Sequence, residues 1–324
     1  MHTSPSFAVS LNDLAVIEIA GADAADFLHG QLTQDIAGLP SGAARLAGYC
    51  TAKGRLMATL AVWRDPAGAD LLYALVKADI AQALVKRLSM YVLRAKARLS
   101  VSARGVAGVW LAFREDGQAQ APDGLDTSAL PADPAPWQVV ASRAGTWIAA
   151  PLPRGERGRW WLVRPEDAPA PPRDAQAQAV WQAADIDAGL PWVQAATQDL
   201  FIPQTLNLDL VQAVSFTKGC YPGQEVVARS HYRGTVKRRM ACGTAIKGPE
   251  PAGLPGTDIF DGNAPDSPCG RVVDAAQAHG KLHLLLEVQL ADLDNGDFRL
   301  GSAQGPRIIL QALPYDIVAS AQAK

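Results

Sequence analysis

Residues 216–229 read Phe216-Thr-Lys-Gly-Cys-Tyr-Pro-Gly-Gln-Glu-Val-Val-Ala-Arg. Cys220 follows Gly219 directly and stands two residues after Lys218 and two before Pro222. Proline suits the first position of a helix, so the spacing predicts a helix from Pro222 through Val226, Val227 and Arg229, stopped by Gly234. Gln224 then takes the third helical position, as in half of a capping box. A cysteine just before a helix start feels the positive end of the dipole, and Lys218 adds a second positive charge. Both favour the thiolate. Gly219 permits a backbone course or a close approach that a side chain would block. The alternative is a buried structural cysteine in a tight strand-to-helix turn.

Cys50, Cys242 and Cys269 have no such surroundings and read as core or surface thiols. The four cysteines form no C-x-x-C pair and no near Cys/His ligand spacing, which argues against a disulfide framework or a zinc site. The 324 residues suit two or three domains; 48% are hydrophobic and 19% charged, which argues against disorder. No apolar run approaches the roughly 18 residues of a membrane span. The N-terminal stretch lacks the layout of a signal peptide, so a cytoplasmic protein is expected. With 30 Lys+Arg against 32 Asp+Glu, only a local basic patch could recruit nucleic acid.

Outward from the cysteine, Leu14–Ala20, Leu56–Trp63 and Leu71–Val76 read as strands. Asp23–Thr33 reads as a short helix capped by Asp23, with Phe27, Leu28 and Leu32 on one face. Ile80, Leu84, Leu88, Tyr91 and Val92 recur with a helical period over Asp79–Val92, and Ala97, Leu99 and Val101 alternate like a strand. Residues 115–136 form an aperiodic surface loop. A helix is expected over Asp174–Ala188, ended by Gly189 and Pro191. From Met240 on, short strands split by Gly and Pro signal a small antiparallel barrel or sandwich. The expectation is an α+β body over 1–235, in two interleaved subdomains, and a β domain over 236–324.

Lys-Gly-Cys-Tyr-x-Gly-Gln-Glu resembles the signature of the YgfZ family of folate-binding proteins. That family is related to the aminomethyltransferase (T-protein) of the glycine cleavage system and to mitochondrial iron–sulfur assembly proteins. The similarity continues in order through Gly21-Ala-Asp-Ala-Ala-Asp-Phe-Leu-His-Gly-Gln-Leu-Thr, Cys50-Thr-Ala-Lys-Gly-Arg and Ile186-Asp-Ala-Gly-Leu-Pro. It extends through Phe201-Ile-Pro-Gln-Thr-Leu-Asn-Leu and Tyr232-Arg-Gly-Thr-Val-Lys-Arg. The resemblance implies three domains in a ring around a hole that holds tetrahydrofolate, the last domain a β-barrel.

A pterin needs a carboxylate for its 2-amino and N3 hydrogens and a flat apolar wall. The Asp174–Ala188 helix offers Trp181 with Asp185 four residues on, and Asp187 near its end. By resemblance Trp181 and Asp187 contact folate. Leu14 stands where some members have an aromatic, so stacking is lost there. Tyr221, Gln224, Glu225 and Arg229 of the cysteine segment complete the implied cofactor set, and Arg229 with Arg233, Lys237, Arg238 and Arg239 could meet a glutamate tail or RNA phosphates. A solvated surface run is the plainer reading of that cluster. His29, His231, His279 and His283 are scattered.

The implied role is support of iron–sulfur cluster synthesis or repair, and through it of tRNA-thiolating enzymes. Cys220, supported by Lys218, would be a transient iron or sulfur ligand or a redox thiol, with no resident metal. The alternative is a folate-dependent one-carbon transferase. Against it, Lys53-Gly-Arg-Leu-Met-Ala-Thr-Leu carries Met57 and Ala58 where aminomethyltransferases carry an acid, and methionine can neither take a proton nor stabilise an iminium ion. A third reading is a binding module with structural folate.

Overall fold

The computed structural model describes residues 6–66, 68, 70–232, 236–246 and 248–317. They form two compact units, one within 1–31, 35–46 and 60–178, the other within 32–34, 47–59 and 179–324.

The first unit holds two antiparallel sheets. Strands β1 (Phe7–Ser10), β7 (Gly105–Trp110), β10 (Val139–Ser142), β11 (Gly145–Ala149) and β12 (Arg159–Arg164) stand in the order β1-β7-β12-β11-β10. Every residue of β12 is buried, because β7 and β11 flank it and both its faces are covered. Its two tryptophans therefore pack in opposite directions: Trp160 meets Trp147 edge-on at 6.5 Å, and Trp161 stacks on Trp137 at 5.6 Å. Strands β2 (Leu14–Ala20), β3 (Ala44–Cys50), β4 (Leu56–Arg64), β5 (Leu71–Lys77) and β6 (Arg98–Val101) form the other sheet, in the order β3-β4-β5-β2-β6. Strands β3 and β4 continue along the chain into the second unit. A small hairpin of β8 (Ala112–Phe113) and β9 (Ala119–Gln120) begins the expected loop.

Two helices fall between β2 and β6 in sequence. Helix α2 (Ala78–Ser89) buries Ile80, Ala81, Leu84 and Leu88 and packs on β2 and β6, but it ends before Tyr91 and Val92 of the expected face, and Tyr91 is exposed. Helix α1 (Ala24–His29) is shorter than expected. Leu32 lies beyond it in a bridge to Tyr49, and the Asp23 side chain caps no helix. Its carboxylate accepts the Lys96 amide at 2.6 Å instead, tying the turn before α1 to the loop before β6.

Helix α3 (Ala175–Asp187) is capped by Asp174, whose carboxylate accepts the amides of Gln176 and Ala177 at 2.8 and 3.0 Å. Gly189 ends it at φ +65°, where a Cβ would stand 2.7 Å from the Tyr315 hydroxyl. Helix α4 (Gln224–Tyr232) begins two residues after Pro222 rather than at it. Gly234, expected to stop it, and Arg233 lie outside the described residues.

The C-terminal sheet comprises β13 (Arg238–Ala245), β14 (Asp258–Asp261), β15 (Ala264–Ala278), β16 (Lys281–Gln289), β17 (Phe298–Leu300) and β18 (Ile309–Gln311). The order β17-β14-β15-β16-β13-β18 is antiparallel throughout. It curls into a half-barrel with β17 and β18 at its edges. Its core gathers Leu282, Leu284, Leu286, Phe298 and Ile308. Among the described residues no helix is long and apolar enough to cross a membrane.

Candidate functional site

In the second unit, Lys218 and Tyr221 point inward and Cys220 outward. The Lys218 ammonium donates to the Leu32 carbonyl at 2.9 Å and sits 4.7 Å from the centre of the Tyr221 ring. Tyr221 is buried, and burial first, then the nearby Cys50 thiol, pushes its hydroxyl well above the ordinary range. These two anchors hold a corner that leaves Cys220 exposed. The lysine thus acts first as a tether between residues 32 and 218.

Gly223 supplies the third anchor. At φ +81° its backbone lies against the Cys50–Arg55 segment, where a Cβ would stand 2.5 Å from the Thr51 carbonyl and 2.7 Å from Gly54 Cα. The glycines of two distant sequence blocks thus meet backbone to backbone, which any side chain at Gly223 would prevent. Val227 donates to the Gly223 carbonyl, so α4 starts at this contact and Cys220 precedes the helix by a turn. The helix-start cysteine expected from Pro222 is corrected accordingly, and Gln224 is the first helical residue, not the third.

Along α4, Glu225 and Arg229 are exposed and pair with each other at 2.5 Å. The buried Gln204 amide reaches the Val227 carbonyl at 2.7 Å, and the Gln204 carbonyl accepts from Arg239 at 2.8 Å. Arg239 is fully buried in a two-pronged pair with Asp209, at 2.6 and 3.0 Å. Arg238 bonds Glu287 at 3.0 Å. Arg238 and Arg239 therefore serve to cross-brace this unit, while Lys237 is exposed. Phe216 and His231 stack at 3.7 Å beside the exposed Tyr232.

Helix α3 carries the expected acids to different surroundings. Asp185 is buried and accepts the Trp192 indole N–H at 3.1 Å, a structural bond. Asp187 keeps 35% of its side chain exposed and bonds His283 Nδ1 at 3.0 Å. An ionised carboxylate only accepts, so that nitrogen carries the proton. His283 then fixes one oxygen while leaving lone pairs for outside donors. His283 lies 96 positions away on β16, and nothing near it in sequence marks it as the partner of Asp187. Its Nε2 is buried without a hydrogen-bond partner among the described residues. Trp181 is 1% exposed and presents no open ring face in this conformation. Leu14 lies on β2 in the first unit, buried in that unit's core. Met57 and Ala58 occupy β4, where the Met57 carbonyl accepts from Gln198 at 2.7 Å. Among the described residues no group of three or more His, Cys, Asp or Glu is arranged to hold a metal.

The thiols divide sharply. Burial pushes Cys50 and Cys242 up to about 12 and Cys269 to about 11, while Cys220 is exposed. An aromatic disulfide reagent at pH 8 is expected to titrate one thiol in the native protein and four after denaturation; two fast native thiols would contradict the geometry. The raised groups also set an alkaline limit. Unfolded thiols ionise near their ordinary value of 9.0 while these folded ones stay neutral, so stability should fall as pH rises above 9.

No protein-family model matches the chain. It is 33% identical over 245 residues to the tRNA-modifying protein YgfZ of Edwardsiella ictaluri, spanning 73% of this chain and 70% of that one. With the protein of the same name from Klebsiella pneumoniae it shares 32% over 261 residues, 76% and 74% of the two chains. With that of Cronobacter sakazakii it shares 29% over 331 residues, 97% and 94%. The crystal structure of the glycine cleavage system aminomethyltransferase T from Bartonella henselae superposes with a TM-score of 0.69 over 97% of this chain and 88% of that one. At 15% identity that likeness speaks for the fold alone. On this fold, and with these relatives, the chain belongs to the family of YgfZ tRNA-modifying proteins.

Proposed function

We propose that this protein binds tetrahydrofolate or a derivative and supports iron–sulfur cluster synthesis or repair in the cytoplasm, and through it the enzymes that modify tRNA. The observation that carries the reading is the separation of Cys220 from the other thiols: it is exposed on an anchored corner, while Cys50, Cys242 and Cys269 are buried. A reachable thiol suits transient ligation of iron or sulfur and suits redox exchange. The relatives' name, tRNA-modifying protein, supports the final link to tRNA.

Asp187 fits the pterin. It is a half-exposed carboxylate with one oxygen oriented by His283, able to accept the paired N–H groups of an aminopyrimidinone edge. Trp181 backs the same helix from within the core. Gln224, Glu225 and Arg229 open the exposed helix after Cys220, where Arg229 could turn from Glu225 to a glutamate tail. One-carbon transfer is the weaker reading, because Met57 supplies no acid or base on β4.

Tetrahydrofolate titration tests this reading. Losing a charged hydrogen-bond acceptor is worth about 1.5–3 kcal/mol, so Asp187→Ala should weaken binding by roughly tenfold or more. His283→Ala should weaken it by a smaller factor, since the carboxylate remains but loses its orienting partner. Wild-type affinity in Asp187→Ala would remove that residue from the site.

A further inference from the structure

The chain has no Asp or Glu between Asp79 and Glu115. That acid-free stretch includes the end of α2, the turn that follows it and the edge strand β6. Lys86, Arg94, Lys96 and Arg98 are all exposed there, and among the described residues none of the four forms an ion pair. Three large apolar side chains emerge between them: Met90 at 63% exposure, Tyr91 at 48% and Leu93 at 86%. Asp23 accepts the Lys96 amide, so the loop that carries these groups is tied down rather than trailing.

We propose that this corner is an RNA-binding surface that takes a single-stranded region of tRNA. Phosphates would lie on Lys86, Arg94, Lys96 and Arg98, and an unstacked base on Tyr91, with Leu93 against its edge. Uncompensated cations beside an exposed aromatic are what single-stranded nucleic acid requires: charge for the backbone and a flat face that accepts any base. The arginines around α4 differ in this respect. Arg229, Arg238 and Arg239 already hold Glu225, Glu287 and Asp209.

A lipid surface would also welcome cations and leucine, but it favours an amphipathic helix lying in the interface. Here the apolar face of α2 is already buried within its own unit, and the exposed apolar residues sit on an irregular turn. Main-chain polar groups of such a turn would be left unsatisfied among acyl chains. The proposal rests on the reading that this protein acts in tRNA modification, and it is independent of the folate reading.

The test is fluorescence anisotropy of an unmodified tRNA transcript with the full chain, across about 50–200 mM salt. Wild type should bind with a steep salt dependence. Arg94→Glu combined with Lys96→Glu should weaken binding by roughly tenfold or more and lower the salt slope by about 1 for each lost phosphate contact. Tyr91→Ala should weaken binding with the slope unchanged, because stacking releases no counterions. Each variant is also titrated with tetrahydrofolate and thermally unfolded, so a folding defect is seen directly. Undiminished tRNA binding by the charge-reversed protein would overturn the proposal. So would a wild type that ignores tRNA, or one that binds phosphatidylserine vesicles instead. If wild type ignores tRNA yet binds tetrahydrofolate, this proposal fails and the folate reading stands. The reverse pattern sinks only the folate reading.

Discussion

Asp209→Ala is expected to lower the unfolding free energy by about 3–5 kcal/mol, which is the usual effect of removing one partner from a buried ion pair. Arg239 has no exposed side-chain surface, and Asp209 keeps 8%. Without the carboxylate, the guanidinium keeps its bond to the Gln204 carbonyl but loses both prongs that neutralise it. Its charge cannot be relieved by deprotonation, since guanidinium stays protonated in proteins. The loss should spread to the cysteine corner, because Gln204 also holds the Val227 carbonyl of α4. Urea unfolding reads the effect as a lower midpoint at unchanged slope. A double variant with Asp209→Leu and Arg239→Met should recover much of the stability, because apolar replacement of a whole buried pair is often neutral or better. A single-variant loss below about 1 kcal/mol would show that water reaches the pair and that it braces nothing.

This pair also shows where reading the sequence stops. Arg233, Lys237, Arg238 and Arg239 stand close together in sequence, so adjacency suggests a solvated or phosphate-binding run. The partners that neutralise Arg238 and Arg239 lie 49 and 30 positions away, and only the folded chain brings them together. His283 was hidden from sequence reading for the same reason. The local signals fared better where one face of an element is buried. The period of α2 and the strand Leu14–Ala20 were legible because a buried side and a solvated side leave a repeat in the sequence. Strand β12 left none, since all six of its residues are buried and its Trp-Trp run does not alternate. Strand β3 shows in the sequence only as the family-like block that begins at Cys50, and β7, with Gly105 and Gly108, offers few side chains to mark it. The cysteine corner was half legible. Lys-Gly-Cys-Tyr marks out the exposed cysteine, but its spacing suggests a lysine charge near sulfur, whereas the Lys218 ammonium bonds the Leu32 carbonyl. The contact of Gly54 with Gly223 joins segments about 170 residues apart, which no spacing rule anticipates.

Cys220→Ala should abolish the support of iron–sulfur enzymes in cells while leaving the protein folded. The thiol is exposed, so its removal opens no cavity, and stability should change by less than about 0.5 kcal/mol. Tetrahydrofolate affinity should likewise persist, because Asp187 and His283 stand on α3 and β16. Cys220→Ser separates shape from chemistry. A hydroxyl fills the same place but provides no soft anionic ligand and no redox couple, so it should fail as alanine does. Cys242→Ala is the matched control, since that thiol is buried and bonds the Gln311 carbonyl at 3.3 Å. Its removal should lower stability and leave cellular activity in proportion to the folded protein remaining. Lys218→Met tests the anchor rather than the sulfur. It breaks the tie to Leu32 and the contact over Tyr221, so the rate at which Cys220 takes an alkylating reagent should change although the thiol remains. Equal activity of cluster-dependent enzymes in cells carrying wild type and Cys220→Ala would exclude the thiol from the mechanism. The anchored corner would then be an architectural feature of the fold, and Asp187 would be left as the group that has to explain what the protein does.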